Sequence, residues 1–324
     1  MAGDQPDLAL VELLADGGFH SGEQLGKRLS LSRAAVWKRL QRLADFGLNI
    51  ERVRGKGYRL PGGLELLEVP RIRAAGRNAD CELLLLPSVE STNTHALMLG
   101  RQGKQTPFAV LAEQQTGGRG RRGRQWVSPL GSNIYLSFAA NFEAGAARLE
   151  GLSLAVGVVV AEVLNGHGLG GRIGLKWPND IQVDGRKLAG ILIELSGDLD
   201  AGCVTVIGIG INGALSREQS RAIDQPWTDV VTETGQALAR NRLVGELLEA
   251  LPVMLDDFQR LGFAPFRERW EALDVCRGKR VGVVLVDRTV QGVAVGVTDK
   301  GALRIATDQG EQVFHGGEVS LRIQ

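Results

Sequence analysis

The sequence predicts a multidomain α+β protein with a small helical unit first, a mixed-sheet domain in the centre and an all-β unit last. Three observations predict it. At 324 residues the chain is long for one domain. Its first sixty residues alternate short helical stripes with a dense run of positive charge, and its last fifty change to short, closely spaced strands. The composition, 44% hydrophobic and 23% charged, provides an ordinary core and gives no sign of disorder.

The N-terminal unit, residues 1–60, opens with a helical stripe of Leu8, Val11 and Leu14 that ends at Asp16-Gly17-Gly18. Ser21 and Gln24 have capping-box spacing, which starts a second helix running to Leu29. Ser32 can cap a third, in which Val36, Leu40 and Leu43 face inward. Its other face presents Ala34, Trp37, Lys38, Gln41 and Arg42, next to Arg33. Two short helices joined by a tight turn, the second basic outside, form a helix-turn-helix layout. Strands over 50–53 and 58–60 then flank Arg54-Gly55-Lys56-Gly57, making a hairpin wing with cations at its tip. Between His20 and Leu60 ten Lys/Arg stand against three acids, although the whole chain carries only +1. Such a local excess suits a polyanion such as DNA. A solvated basic face, or a three-helix unit used for protein contacts, is the plainer alternative.

Pro61-Gly62-Gly63 marks a linker over 61–65. From 66 to 273 strands and helices mix. A buried strand is expected over 83–86, a helix over 92–99 behind Ser91, and strands over 108–113 and 133–140. A long apolar helix follows over 149–164, then strands over 175–177, 181–183, 188–194 and 203–211. Asp184-Gly185 is a hairpin turn. Helices over 242–261 and 266–273 close this part. Short turns between strands imply an α+β sheet with helices on one side. From 274 to 324, strands over 281–286, 289–297, 302–306, 311–314 and 319–323 make a small SH3-like β-barrel.

Several functional classes are disfavoured. Cys81, Cys203 and Cys276 are few, odd in number and far apart, so a disulfide framework is not expected and a reducing cytosol is. His20, His95, His167 and His315 lack metal-ligand spacing. No membrane span is expected, and the acidic opening stretch with Asp4, Asp7 and Glu12 does not resemble a secretory leader.

The chemistry concentrates in three segments. The first, from Gly117 to Trp126, sets four arginines among four glycines between two strands. Glycine lets backbone N–H groups approach a ligand, and arginine binds phosphate oxygens in pairs. No P-loop lysine and no dinucleotide-binding glycine pattern is present; a disordered Arg-Gly nucleic-acid contact is the rival reading. The second is Lys176-Trp177-Pro178-Asn179-Asp180 with Arg186-Lys187-Leu188-Ala189-Gly190 across the hairpin, where two lysines border one turn. The third, Gly208-Ile209-Gly210-Ile211-Asn212, ends a strand with small residues and an amide, a wall for a flat ring or a close strand crossing.

These segments, with Ser91-Thr92-Asn93 ahead of them, resemble in order the biotin protein ligases. The stretch from Phe19 through Ser32-Arg33-Ala34 to Gly57-Tyr58 resembles their bifunctional members, the biotin operon repressors. The likeness covers nearly the whole chain and is weak only over 213–240. It implies activation of biotin by ATP to biotinyl-5'-adenylate and transfer to a lysine of the biotin carboxyl carrier protein of acetyl-CoA carboxylase. It further implies that the adenylate is corepressor for a cytoplasmic homodimer on operator DNA, and that Mg²⁺ comes with ATP rather than in a dedicated cage.

Residue by residue, the resemblance assigns Ser91, Thr92, Asn93, Gln115, Gly118, Arg119 and Gly190 to biotin. Arg121 and Lys187 fall on the carboxylate and the α-phosphate as the catalytic pair. Trp126, Lys176, Asn179, Asp180, Asn212 and Arg322 go to the nucleotide. Arg33, Ala34, Trp37, Lys38, Gln41, Arg42, Arg54 and Lys56 go to DNA. Two alternatives remain at this point: a non-enzymatic transcription factor that senses a small molecule, and a lipoate-type ligase of related architecture.

Overall fold

A computed structural model of the chain describes residues 5–76, 81–142, 149–198, 202–285, 288–316 and 320–323. Three sheets organise these residues. In the N-terminal unit α1 (Leu8–Leu14), α2 (Gly22–Leu29) and α3 (Arg33–Asp45) enclose a core of Leu10, Val11, Leu14, Leu25, Val36, Leu40 and Leu43. The Ser21–Gln24 capping box forms with both of its hydrogen bonds, and Ser32 Oγ accepts from the Ala35 N–H. The wing is β1 (Glu51–Val53) paired antiparallel with β2 (Gly57–Arg59). It docks on the start of α2 through two backbone bonds between His20 and Tyr58. At Gly57, φ is +108° and a Cβ would sit 2.2 Å from the His20 carbonyl oxygen, so only glycine lets the wing close there.

The expected linker is a packed strap. Leu64 and Leu66 pack against the N-terminal core, and Leu130, from the central part of the chain, lies buried within it. The next residues are clasped by buried polar groups. Arg240 donates to the Glu65 carbonyl, Asn241 to the Leu66 carbonyl, and Glu113 accepts from the Leu67 N–H. Arg240 and Glu113 are themselves an ion pair at 2.8 Å, both almost fully buried. Removing one member of such a pair leaves a buried charge and typically costs about 3–5 kcal/mol.

The central sheet has seven strands: β3 (Glu82–Leu86), β4 (Phe108–Ala112), β5 (Ile134–Phe142), β9 (Gly202–Ile211), β8 (Arg186–Asp198), β7 (Asp180–Val183) and β6 (Ile173–Lys176), in that spatial order. Only β3 with β4 is parallel. As an edge strand, β3 is half-buried, not buried as the sequence implied. One face of the sheet packs against α6 (Leu152–Leu164), α8 (Arg240–Leu261) and α9 (Ala264–Ala272), using Leu136, Phe138, Ile207, Ile209 and Ile191. On the other face lies α5 (Thr92–Arg101), whose Ala96 and Leu97 meet Phe108, Val110, Ala139 and Val206. Helices therefore cover both faces, which corrects the one-sided expectation. Alternation along each strand makes both faces apolar beneath their helices. Two short helices, α4 (Val69–Ala75) and α7 (Val230–Thr234), have no counterpart in the sequence reading.

The window Leu152–Leu169 is apolar enough in composition to span a membrane, yet 61% of it is buried inside the protein. Its side chains fill the space between the sheet, α8 and α9. The C-terminal strands β10 (Arg280–Val284), β11 (Thr289–Val297), β12 (Leu303–Thr307), β13 (Gly310–Phe314) and β14 (Ser320–Ile323) form one antiparallel sheet, in spatial order β13-β12-β11-β10-β14. Val286, Gly317 and Val319, which the sequence reading placed in strands and a turn, lie outside the described residues.

Candidate active site

A cavity of about 580 Å³ opens on the sheet face that carries α5, beside that helix. The strands beneath it make room by omitting side chains. Gly190 on β8 is the register partner of Gly210 on β9, and the Trp126 indole packs against both. A Cβ on Gly210 would fall 2.6 Å from that ring. At Gly208 a Cβ would fall 2.3 Å from the Asn93 amide oxygen. The third sequence segment is thus a wall, as its small residues suggested, with an indole and an amide seated on it.

At one end of the cavity the polar groups are already joined to one another. Ser137 Oγ lies 2.8 Å from Thr92 Oγ1 and 2.6 Å from the Asn93 amide oxygen. The Thr92 hydroxyl and backbone N–H both donate to Gln115 Oε1, and the Gln115 amide donates to Ser128. Asn93 in turn donates to Glu194 at 2.8 Å, and Glu194 pairs with Arg119 at 3.1 Å. Ser91 caps α5 by accepting from the Thr94 N–H. Thr92, Asn93, Ser137 and Glu194 come from a helix N-terminus and strands β5 and β8, while Gln115, Arg119 and Ser128 come from the segment between β4 and β5. Ser137 and Glu194 were missed in the sequence. Period-two alternation from Gly190 through Leu192 would have put Glu194 on the cavity face, but nothing marked which face that was.

Further along, the arginine loop and the β7–β8 hairpin meet. Arg121 donates to Asn179 Oδ1 at 3.1 Å and to the Gly316 carbonyl of the C-terminal part. Burial holds its guanidinium below the usual arginine value, with Asp180 acting in the opposite direction and Arg122 and Arg124 adding to the depression. Lys187 reaches Asp180 at 2.6 Å, both side chains mostly buried, and its ammonium stands 5.5 Å from the Trp126 ring centroid. Arg121 and Lys187 line the same cavity, together with Lys176, Asn179, Asp180, Asn212 and Arg322. Asn179 is anchored by donating to the Ile191 carbonyl at 2.8 Å. The buried amide of Asn212 donates to the Thr228 carbonyl at 3.0 Å, so it orders the adjacent chain.

Gly118 alone of the expected ligand-side residues does not line the cavity. It lies behind it, where a Cβ would meet the Trp126 carbonyl at 2.5 Å and Ser128 Oγ at 2.6 Å, and its role is to let the loop fold back. Conversely, residues 222–227, for which the sequence supported no assignment, form one side of the cavity, with Ile223 and Trp227 facing it. This segment joins the hairpin by a parallel bridge at Lys187, whose N–H donates to the Pro226 carbonyl and whose carbonyl accepts from Thr228.

Asp180 and Asp224 are carboxylates of the lining, and no group of three metal-ligating side chains occurs among the described residues. The arrangement suits a cation carried by a ligand's phosphates. Chemically, the cavity offers hydrogen-bond donors and acceptors at one end and convergent cations in the middle. A wall for a flat ring lies between, and no serine, cysteine or histidine nucleophile arrangement is needed.

Apart from the cavity, Ala34, Trp37, Lys38, Gln41 and Arg42 lie together on the exposed face of α3, with Arg33 at its start. Trp37 is 49% exposed. Arg54 and Lys56 stand exposed at the wing tip. Arg59 stacks 4.6 Å from the Phe19 centroid and pairs with Glu51, fixing the wing's base.

Comparison with known proteins gives three family matches along the chain. A helix-turn-helix domain matches residues 7–59, the biotin/lipoate A/B protein ligase family 85–212, and a biotin protein ligase C-terminal domain 278–322. The bifunctional ligase/repressor BirA of Salmonella typhimurium is 42% identical over 97% of this chain and 97% of its own length. The biotin–[acetyl-CoA-carboxylase] ligase of Paracoccus denitrificans is 34% identical over 72% of this chain and 98% of its own. Among solved structures, the biotin protein ligase of Aquifex aeolicus in complex with biotin and ATP superposes with a TM-score of 0.65 at 30% identity. It covers 75% of this chain and 99% of that one.

Proposed function

The chain belongs to the bifunctional biotin ligase/repressor family, and from that premise we propose how its cavity and its N-terminal unit divide the work. The protein is an ATP-dependent biotin–protein ligase: it forms biotinyl-5'-adenylate and passes biotin to a lysine of a carboxyl carrier protein. It is also a biotin-dependent repressor through its helix-turn-helix. The division of labour follows domains at 1–60, 66–273 and 274–324, with 61–65 between the first two.

The observation that carries the ligase reading is that Arg121 and Lys187, from two distant segments, line one cavity beside a ready-made polar end. In our reading the polar end takes the ureido ring, whose carbonyl and two N–H groups need both donors and acceptors. Ser91, Thr92, Asn93, Gln115 and Arg119 provide them. A lipoate-type dithiolane offers these groups no hydrogen bonds in exchange for the water it displaces from them, so it gains less at this end than a ureido ring does. The nucleotide occupies the other end, near Lys176, Asn179, Asp180, Asn212 and Arg322, with Trp126 against the base as the loop orders.

The carboxylate of biotin attacks the α-phosphorus of ATP; the bond to pyrophosphate breaks and a mixed anhydride remains. Two anions must meet, so the barrier falls when fixed cations face the phosphoryl oxygens, each donor worth about 10²–10³ in rate. Lys187 and Arg121 are those cations. Mg²⁺ arriving with ATP would offset part of the phosphate charge. The carrier's lysine amine then attacks the anhydride carbonyl and AMP leaves. Closure of the arginine loop would keep water from the anhydride. On the DNA side, Arg33, Lys38, Arg42, Arg54 and Lys56 meet phosphates, while Gln41, Trp37 and Ala34 face base edges. Adenylate-favoured homodimerisation would bring two such units to a palindromic operator, within the cytoplasm.

The test uses the full-length chain with MgATP and the purified carrier domain of an acetyl-CoA carboxylase. Labelled biotin should appear on the carrier lysine and labelled lipoate should not. Comparable transfer of both, or none of biotin, would contradict the reading.

A further inference from the structure

Behind Lys187 stands a carboxylate that the reaction itself does not use. Glu233, on α7, has a side chain only 2% exposed. Arg186, the residue before Lys187, reaches it at 2.8 Å. Arg172, just before β6, and the Thr228 hydroxyl close on it as well, both in short contacts. Arg172 also pairs with Asp184 of the hairpin turn at 2.9 Å and donates to the Glu233 carbonyl. Successive residues of a strand point to opposite faces, so Lys187 lines the cavity while Arg186 points away from it toward Glu233.

We propose that Glu233 is a positioning residue for the nucleotide end of the cavity, clamping segment 222–228 and the β7–β8 hairpin together around Lys187. The proposal rests on the ligase reading above. Thr228 N–H and the Pro226 carbonyl hold the backbone of Lys187 on both sides, and Thr228 is itself held by Glu233. The buried carboxylate therefore joins the strap that walls one side of the cavity to the strand that carries the lysine. With Glu233 neutralised, Arg172 and Arg186 lose the carboxylate they share, and Asp184 is left as the acid of the cluster, paired with Arg172 alone. The strap then separates from the hairpin, and the ammonium loses its fixed place beside Asp180. Among the described residues the hydrogen bonds of Ser91, Thr92, Asn93, Gln115 and Ser137 stay apart from this cluster, running among themselves, to β8 near Glu194 and to Ser128. The effect must therefore divide between the two ligands.

The experiment measures MgATP dependence in biotin-driven exchange of labelled pyrophosphate into ATP, and biotin affinity by calorimetry without nucleotide, on full-length variants. Glu233→Gln is expected to raise KM for ATP at least about tenfold while biotin affinity changes less than about threefold. Glu233→Asp, which keeps the charge, should recover most of the loss, an outcome that a role in packing alone would not give. If Glu233→Gln does not fold, judged by its melting curve, the exposed Arg172→Gln variant should give the same split at smaller amplitude. An unchanged KM for ATP, or parallel changes for both ligands, overturns the proposal. Lys187→Ala in the same assay separates the two levels. Wild-type exchange by that variant would remove the ligase reading itself. Its inactivity beside a wild-type KM in Glu233→Gln would remove only the clamp.

Discussion

The two ends of the cavity are built on different principles. At the end assigned to biotin, Thr92, Asn93, Ser137 and Glu194 sit on a helix terminus and on strands, with Gln115 just beyond β4, and they satisfy one another. At the end assigned to phosphate, Arg121, Arg122 and Arg124 sit on a glycine-rich turn and Lys187 beside a hairpin tip. There the charges are same-signed and Asp180 is their carboxylate counterweight. The contrast teaches that a neutral, shape-defined group can be met by a site finished in advance. A highly charged group is met by more cations than the protein's own carboxylate balances. A finished hydrogen-bond network costs little to keep, because every member has a partner. Convergent cations repel one another, and an arriving anion relieves that repulsion beyond what Asp180 and Asn179 already provide.

Breaking the charged end should produce the largest effect. Arg121→Ala is expected to slow adenylate formation by about 10² in pre-steady-state quench, with biotin affinity much less affected. Gly208→Ala tests the finished end through the backbone: its methyl would collide with the Asn93 amide oxygen. We expect biotin affinity, read by calorimetry, to fall by about 10–100-fold with KM for ATP little changed, equivalent to losing one or two buried hydrogen bonds. Ser137→Ala removes a single hydroxyl from the same network and should weaken biotin by about fivefold in the same measurement. Smallest for the cavity's chemistry is the effect of the Trp37→Ala, Lys38→Ala pair on α3, which lies outside it. It should leave ligase turnover within about 20% while operator binding, read by gel shift, loses about 10-fold or more. Equal damage by Ser137→Ala to both ligands would dissolve the distinction between the ends.

Legibility followed the same divide. Four arginines among four glycines announce themselves by composition, as does the basic surplus from His20 to Leu60, so the cationic side of the cavity and the exposed basic face of α3 could be read directly. The capping box at Ser21 and the turn at Asp184-Gly185 were legible because each is a local rule of backbone chemistry. Ser137 and Glu194 were not, since a serine or a glutamate on a strand acquires meaning only when the register sets it opposite a partner. Segment 222–227 has no periodicity, and its place on the cavity depends on one bridge to Lys187 made across the fold. The linker read as loose from Pro61-Gly62-Gly63, yet Arg240, Asn241 and Glu113, distant in sequence, clasp the residues that follow it. α5 lay on the unexpected face because helix periodicity fixes which side of a helix is apolar, not which side of a sheet receives it.

The account stands on the ammonium of Lys187, held beside Asp180 and within reach of Trp126. The direct measurement is the rate of biotin-dependent pyrophosphate exchange by Lys187→Ala at saturating MgATP. A loss of about 10²–10³ with the melting temperature preserved is the predicted result. Exchange at the wild-type rate would contradict it.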